Sequence, residues 1–254
     1  MVLLFVHGAW HGAWCWAEHF LDDFAERGYR VAAVSLRGHG ASSLPRFLHA
    51  CSIADYVDDL RAIAETFPLP PVVIGHSMGG FVVQKYLQKY PAAAGVLLAS
   101  IPPHGIAAPM LRFARRHPGQ MAKIILTANT LLTCSTVDSA RTMLFSESTP
   151  TADVGEYRQR LQPESLRALL VDMLFRDLPK PAAVRTPLLV LGAESDGWIS
   201  PREVRATARA YQTTAAFFPG GHDMMLEPER AHVVDYIHWW LNTALTPPET
   251  PPDR

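Results

Sequence analysis

The strongest chemical signal in the chain is a serine between glycines, at the junction of a predicted strand and a predicted helix. The apolar residues 72–74 lead into GHSMGG at residues 75–80, and a helical pattern follows. A Gly-x-Ser-x-Gly turn in this context holds a serine hydroxyl at the tip of a sharp elbow. Ser77 is therefore the candidate nucleophile, although a glycine-rich turn without chemistry would have the same composition.

A serine hydroxyl needs a general base, and His222 is the candidate among the eleven histidines. It follows an apolar strand pattern and a Pro-Gly-Gly turn, which places it on a loop near the end of the chain. The third member of such a triad is a carboxylate that orients the imidazole. Asp196 follows another buried strand pattern and is the predicted acid, with Glu194 as the alternative.

The loop after the first strand has the composition of an oxyanion hole. Residues 2–6 form an apolar strand pattern, and the small residues that follow can turn a backbone N–H inward. The expected donors are the amides of Ala9 and Met78. The pattern His-Gly-Ala-Trp occurs twice in residues 7–14, and we expect the first copy to serve this loop and the second to open a helix. Three apolar residues are expected to bind substrate at the mouth of the site: Trp10, Trp198 and Met224.

These motifs together resemble the α/β-hydrolase superfamily over nearly the whole chain. Within it, HGAWHGAWCW at residues 7–16 is similar to the branch of plant methylesterases and hydroxynitrile lyases. RGHGAS at residues 37–42 is more like the bacterial esterases and lysophospholipase-like proteins. The resemblance implies a helical cap over the serine and acyl transfer that requires no metal and no organic cofactor.

Composition fits one catalytic domain of this class. The chain has 254 residues, of which 48% are hydrophobic, and its net charge of −1 offers no overall basic field for a nucleic acid or an anionic membrane. Three widely spaced cysteines suggest neither a disulfide framework nor a thiolate metal site. The first strand begins at the second residue, and no apolar run is long enough to span a membrane. The sequence therefore predicts a cytoplasmic protein without integral membrane association, and it leaves the oligomeric state open.

Alternating strand and helix patterns predict an α/β fold, with a mostly parallel sheet of about six strands and helices on both faces. We expect a core of residues 1–101 and 184–245, a helical cap inserted at residues 102–183, and a disordered tail at residues 246–254. The predicted cap helices cover residues 109–117, 119–127, 138–145 and 163–175.

One cap helix carries Arg112, Arg115 and Arg116. This basic cluster could bind an acidic head group, but a solvated helix face is the favoured interpretation.

The function predicted from these residues is hydrolysis of carboxylic esters with apolar or acyl-chain groups, through an acyl-enzyme on Ser77. Alternatives that use the same elbow are a lyase of the hydroxynitrile type, cofactor-free perhydrolysis or haloperoxidase-like chemistry, and carbon–carbon bond hydrolysis. A ligand receptor on a hydrolase scaffold is a further alternative. The sequence does not identify the substrate.

Overall fold

The computed structural model describes residues 1–44 and 47–245 and confirms the predicted α/β fold. Six parallel strands form one sheet in the order β2-β1-β3-β4-β5-β6. Their bounds are β1 Val2–Val6, β2 Arg30–Val34, β3 Val72–His76, β4 Ala94–Leu98, β5 Leu188–Ala193 and β6 Ala215–Phe218. Parallel pairing requires a crossover between strands, and the helices between them cover the faces of the sheet.

Burial explains why the sequences of the central strands are continuous apolar runs. Every residue of β3, β4 and β5 is buried, whereas the edge strand β2 has only Val34 buried. The register pairs Phe5 of β1 with Ile74 of β3, and Ile74 in turn with Val96 of β4. The sheet centre is therefore enclosed on both faces and gives the site a rigid base.

The helices begin and end close to their sequence signals. Ser52 caps α3 as predicted, because its side chain accepts from the Asp55 N–H while the Asp55 carboxylate accepts from the Ser52 N–H. The α-helices are α1 Trp14–Ala17, α2 Phe20–Glu26, α3 Ile53–Ala64, α4 Met78–Tyr86, α5 Ala107–Arg116, α6 Pro118–Thr127, α7 Val137–Leu144, α8 Thr151–Gln159, α9 Pro201–Ala210 and α10 Arg230–Ala244. A π-helix covers Ala168–Arg176, and short 3₁₀ turns cover Leu48–Ala50, Thr130–Cys134 and Pro181–Ala183.

The segment between β4 and β5, which we call the cap segment (residues 102–183), differs from the sequence prediction in two places. Helix α8 was not predicted, because only Val154 and Tyr157 of its nine residues are buried. The last predicted helix begins too early. Glu164 instead accepts a hydrogen bond from the Tyr56 hydroxyl at 2.5 Å, and the Ser165 hydroxyl donates to the Cys51 carbonyl at 2.6 Å. These bonds tie the entry of the π-helix to the core.

Two further sequence predictions concern the membrane and the tail. None of the helices in the described residues is both long and apolar enough to cross a membrane. The tail predicted to be disordered, residues 246–254, lies outside the described residues. The three cysteines are buried, and within the described residues none of them forms a disulfide.

Candidate active site

The sequence-predicted residues meet at the carboxyl ends of four strands. Ala9 follows β1, Ser77 follows β3, Asp196 follows β5 and His222 follows β6. Parallel strands present their carboxyl ends at one edge of the sheet, where ligands bind in open α/β folds. Residues far apart in sequence therefore share one site.

Ser77 occupies a backbone conformation that few residues adopt. Its φ of +51° and ψ of −117° lie outside the helical and extended regions. The glycines around it relieve crowding: a Cβ on Gly75 would overlap the carbonyl oxygen of Gly79, and a Cβ on Gly79 would overlap those of Val6 and His7. Strand, turn and helix thus approach as closely as the elbow requires.

A continuous chain of hydrogen bonds joins serine, histidine and aspartate. The Ser77 hydroxyl lies 2.9 Å from His222 Nε2, and His222 Nδ1 lies 2.8 Å from Asp196 Oδ2. The other carboxylate oxygen of Asp196 accepts from the N–H groups of Trp198 and Ile199 at 2.7 and 2.8 Å. With Nδ1 donating to the carboxylate, Nε2 is left to accept the serine proton.

The acid that contacts His222 is Asp196, whereas the alternative, Glu194, is exposed. Burial alone would lower the pKa of His222. The charge of Asp196 and its hydrogen bond outweigh burial and raise the pKa above the ordinary value for histidine. Asp196 thus favours the protonated form of the His222 imidazole.

The predicted oxyanion donors lie beside the serine. Ala9, Ser77 and Met78 line one cavity. Met78 is the first residue of α4, where backbone N–H groups have no partner within the helix. Within the described part of the chain, no hydrogen bond uses the Ala9 N–H. Both amides are therefore free to bind a ligand oxygen.

His7 fixes the loop that carries Ala9. Its Nδ1–H donates to the Gly8 carbonyl at 2.8 Å, and its Nε2 accepts from the Leu36 N–H at 3.0 Å. Burial, followed by the nearby His39, lowers the pKa of His7 well below its ordinary value. A neutral ring with one donor and one acceptor matches both bonds.

A cavity of about 310 Å³ extends from Ser77 into the cap segment. Trp10 and Trp198 line it, with ring centroids 5.7 Å apart, and their contact with substrate stays a prediction. The Trp10 indole N–H donates to Thr130 Oγ1 at 2.9 Å, so this polar group is satisfied. Met224 is buried but is not among the lining residues, so its predicted contact with substrate is not supported. The cap segment contributes an apolar wall: Ile106, Met110, Phe113, Ile124, Leu169 and Met173.

A second buried polar network lies behind the histidine loop. Asp223 Oδ2 is 3.0 Å from His11 Nε2, and the His11 Nδ1–H donates to the Ala9 carbonyl at 2.8 Å. Both ring nitrogens of His11 therefore face oxygen atoms, and its Nε2 pairs with the buried Asp223 carboxylate. The His76 Nε2–H donates to the His222 carbonyl at 3.0 Å. The network thus connects the Ala9 loop to the His222 loop.

Glu227 connects the histidine loop to the cap segment. One of its carboxylate oxygens accepts from the N–H groups of Gly221 and Ser146 at 2.7 and 2.6 Å. The other accepts from the hydroxyls of Ser146 and Thr149, each at 2.7 Å. A buried carboxylate with four such bonds holds the His222 loop against residues 146–149.

Four residues that position the site have no role predicted from the sequence: His11, His76, Asp223 and Glu227. The sequence contains a signal for His11, because this residue begins the second copy of the His-Gly-Ala-Trp pattern. The position of Asp223 next to the predicted base was a second signal. Neither could be paired without the fold, since His11 and Asp223 are 212 residues apart.

His76, His222 and Asp223 are the one group of metal-ligand types that lies close together in the described residues. Both ring nitrogens of His222 are already hydrogen bonded to Ser77 and Asp196, and Asp223 is paired with His11. Burial and the neighbouring His222 lower the pKa of His76 to about 3, so its ring is neutral. The His222 nitrogens, His76 Nε2 and Asp223 Oδ2 are therefore engaged in hydrogen bonds, whereas His76 Nδ1 and Asp223 Oδ1 have no hydrogen-bond partner among the described residues.

The fold and site agree with a family assignment. The family model described as the alpha/beta hydrolase family matches residues 3–233. The chain therefore belongs to the alpha/beta hydrolase family, and the resemblance inferred from the sequence is confirmed.

The relatives include lipases and esterases. The chain is 28% identical over 237 residues to a monoacylglycerol lipase of Mycolicibacterium smegmatis, covering 88% of this chain and 82% of the relative. It is 26% identical over 253 residues to the phospholipase YtpA of Bacillus subtilis, covering 91% of each chain. A thermophilic esterase from Thermogutta terrifontis has the same fold, with a TM-score of 0.76, 23% identity and coverage of 97% of this chain and 91% of that one.

Proposed function

We propose that the protein is a serine hydrolase that cleaves carboxylic esters of apolar or acyl-chain substrates, through an acyl-enzyme on Ser77. The observation that carries this proposal is the chain of hydrogen bonds from Ser77 through His222 to Asp196, at the mouth of an apolar cavity. Its lipase and esterase relatives are consistent with the same chemistry.

The first half of the reaction transfers the acyl group to the enzyme. His222 Nε2 takes the Ser77 proton as Oγ bonds to the ester carbonyl carbon, and the N–H groups of Ala9 and Met78 hold the resulting oxyanion. The carbon–oxygen bond to the alcohol then breaks, and the alcohol leaves with the proton from His222. Asp196 stabilises the imidazolium throughout this half-reaction.

The second half regenerates the enzyme. His222 removes a proton from water, the hydroxide oxygen bonds to the acyl carbon, and the bond to Ser77 Oγ breaks. Ser77 takes back the proton, and the carboxylic acid leaves. Both halves use the same oxyanion donors and the same base.

The composition of the cavity favours a substrate that is recognised through an apolar acyl group. Its lining beyond Ser77 and His222 is almost entirely aliphatic, aromatic or thioether side chains. Such pockets select mainly by apolar fit and exclude charged groups that would lose their hydration. Sugars and nucleotides would find few polar partners there.

Hydrolysis of chromogenic esters graded from acetyl to palmitoyl tests the proposal. Wild type, Ser77→Ala and the exposed control Ser195→Ala would be compared. We expect turnover by wild type and Ser195→Ala, with a rise and fall along the acyl series that reflects the cavity length, and no turnover by Ser77→Ala. Equal turnover by Ser77→Ala, or none by wild type on any ester, would contradict the proposal and lead to cyanohydrin cleavage and ligand-binding assays.

A further inference from the structure

The outer surface of helices α5 and α6 carries large apolar side chains in water. Leu111 is 49% exposed, Ile125 73% and Leu126 84%. Exposed hydrophobic residues scattered singly on a surface are normal, whereas several on two consecutive helices favour an interaction site. We call the surface formed by Leu111, Arg115, Arg116, Lys123 and Leu126 the α5–α6 surface.

The α5–α6 surface carries positive charge, although the chain as a whole does not. Residues 102–137 contain no Asp or Glu, although the whole chain has a net charge of −1. Arg112 is neutralised by the Glu203 carboxylate at 2.9 Å. Arg115, Arg116 and Lys123 are exposed, and among the described residues they have no ion-pair partner. The solvated face expected from the sequence therefore holds for Arg115 and Arg116 but not for Arg112.

The apolar lining of the cavity reaches this surface through Ile125. Its side chain lines the cavity that contains Ser77 and is also largely exposed. The neighbouring residue Ile124 is buried and lines the same cavity. An apolar path thus runs from the outside of α6 to the candidate nucleophile.

We propose that the α5–α6 surface binds an anionic lipid bilayer, so that the cavity opens toward the acyl chains. Leu111 and Leu126 would enter the interface between head groups and acyl chains, and Arg115, Arg116 and Lys123 would contact anionic head groups. A bilayer fits the α5–α6 surface in two ways. Its acyl region can bury the exposed apolar side chains, and its anionic head groups can pair with the exposed cations. A second copy of the chain fits less well, because a two-fold contact would place these cations against one another.

This binding goes beyond the proposed ester hydrolysis and can be measured without turnover. Partitioning of the whole protein onto sucrose-loaded vesicles would be followed by sedimentation. One set of vesicles contains phosphatidylcholine mixed with phosphatidylglycerol, and the other contains phosphatidylcholine alone. We expect stronger partitioning onto the mixed vesicles and a decrease when salt is added. Equal partitioning onto both, or none onto either, would overturn the proposal.

Variants test whether this surface is responsible. We expect Arg115→Gln/Arg116→Gln/Lys123→Gln to partition about a hundredfold less, since each cation near an anionic surface contributes roughly a fivefold change. The charge-matched control is Lys180→Gln/Arg185→Gln/Arg209→Gln, which removes three exposed cations outside α5 and α6. The same loss in this control would overturn the proposal.

Two variants that replace exposed leucines complete the test. Leu126→Ser should partition about tenfold less, because one buried leucine side chain is lost. Leu69→Ser changes a residue that is 75% exposed in the turn before β3 and should partition like wild type. If Leu126→Ser instead dissociates a dimer of the protein without vesicles, the surface binds a second copy and the lipid proposal is wrong.

Vesicle binding and ester hydrolysis can be tested separately. Ser77→Ala should partition like wild type, and the surface variants should hydrolyse a short, water-soluble ester like wild type. Loss of vesicle binding with intact ester hydrolysis would overturn only the lipid proposal.

Discussion

The pair formed by His11 and Asp223 leads to the most quantitative prediction. Both side chains are buried, and the facing atoms are 3.0 Å apart. Replacing His11 with Gln removes the imidazole that faces Asp223 Oδ2 and leaves a buried carboxylate without that partner. Removing one partner of a buried ion pair costs about 3–5 kcal/mol. With a urea m-value of about 3 kcal/mol per molar, the midpoint of unfolding should fall by roughly 1–1.7 M.

The pH dependence of this loss has a definite sign. Burial would raise the pKa of Asp223, but His11 outweighs burial and lowers it. In wild type the carboxylate therefore contributes stability above its unfolded pKa of about 3.9, and this contribution is lost only as pH falls through the lower folded value. In His11→Gln burial dominates and the pKa rises. The stability deficit of the variant should therefore be largest near neutral pH and shrink as Asp223 takes up a proton in acid.

Urea unfolding of a double-mutant cycle measures the interaction. The cycle consists of wild type, His11→Gln, Asp223→Asn and the double variant, with His232→Gln as an exposed control. We expect the double variant to lose less free energy of unfolding than the sum of the two single losses. The difference should be about 2 kcal/mol or more. Additive losses, or a His11→Gln variant as stable as His232→Gln, would refute the ion pair. In the folded variants kcat should fall more than KM rises, because neither residue lines the cavity.

Three further predictions concern the nucleophile and its base. Ser77→Ala and His222→Ala should each lower kcat by about 10⁴-fold or more, and the double variant should be no worse than either; additive losses would contradict a joint role. The acid limb of kcat/KM should have its midpoint above about 6.5, because Asp196 raises the pKa of His222 and the base must be neutral; a midpoint below that value would count against His222. Gly79→Ala should lower the free energy of unfolding by more than about 2 kcal/mol, since its Cβ would overlap the carbonyl oxygens of Val6 and His7; an unchanged thermal midpoint would rule out this crowding.

Local signals in the sequence were sufficient for the sheet and the elbow. The turn at Ser77 was predictable because its glycines, the preceding apolar strand and the following helix are adjacent in the chain. The cap of α3 was predictable for the same reason, since Ser52 and Asp55 are three residues apart.

Features that depend on tertiary packing were not predictable. The sequence predicts Met224 among the apolar residues at the mouth of the site, but it is buried and does not line the cavity. The Glu227 carboxylate has one partner nearby in the sequence, the Gly221 N–H, and its contacts with Ser146 and Thr149 come from the cap segment, about 80 residues away. Charge at the α5–α6 surface was hidden by the balanced total, because acidic residues elsewhere offset its cations.

Trapping the acyl-enzyme tests the central claim most directly. Wild type and Ser77→Ala would be mixed with a chromogenic ester, quenched in acid within the first turnovers, and analysed by intact-protein and peptide mass spectrometry. We predict one added acyl mass in wild type, located on Ser77, and none in Ser77→Ala. An acyl group on another residue, or rapid turnover with no covalent intermediate at any time, would contradict the account.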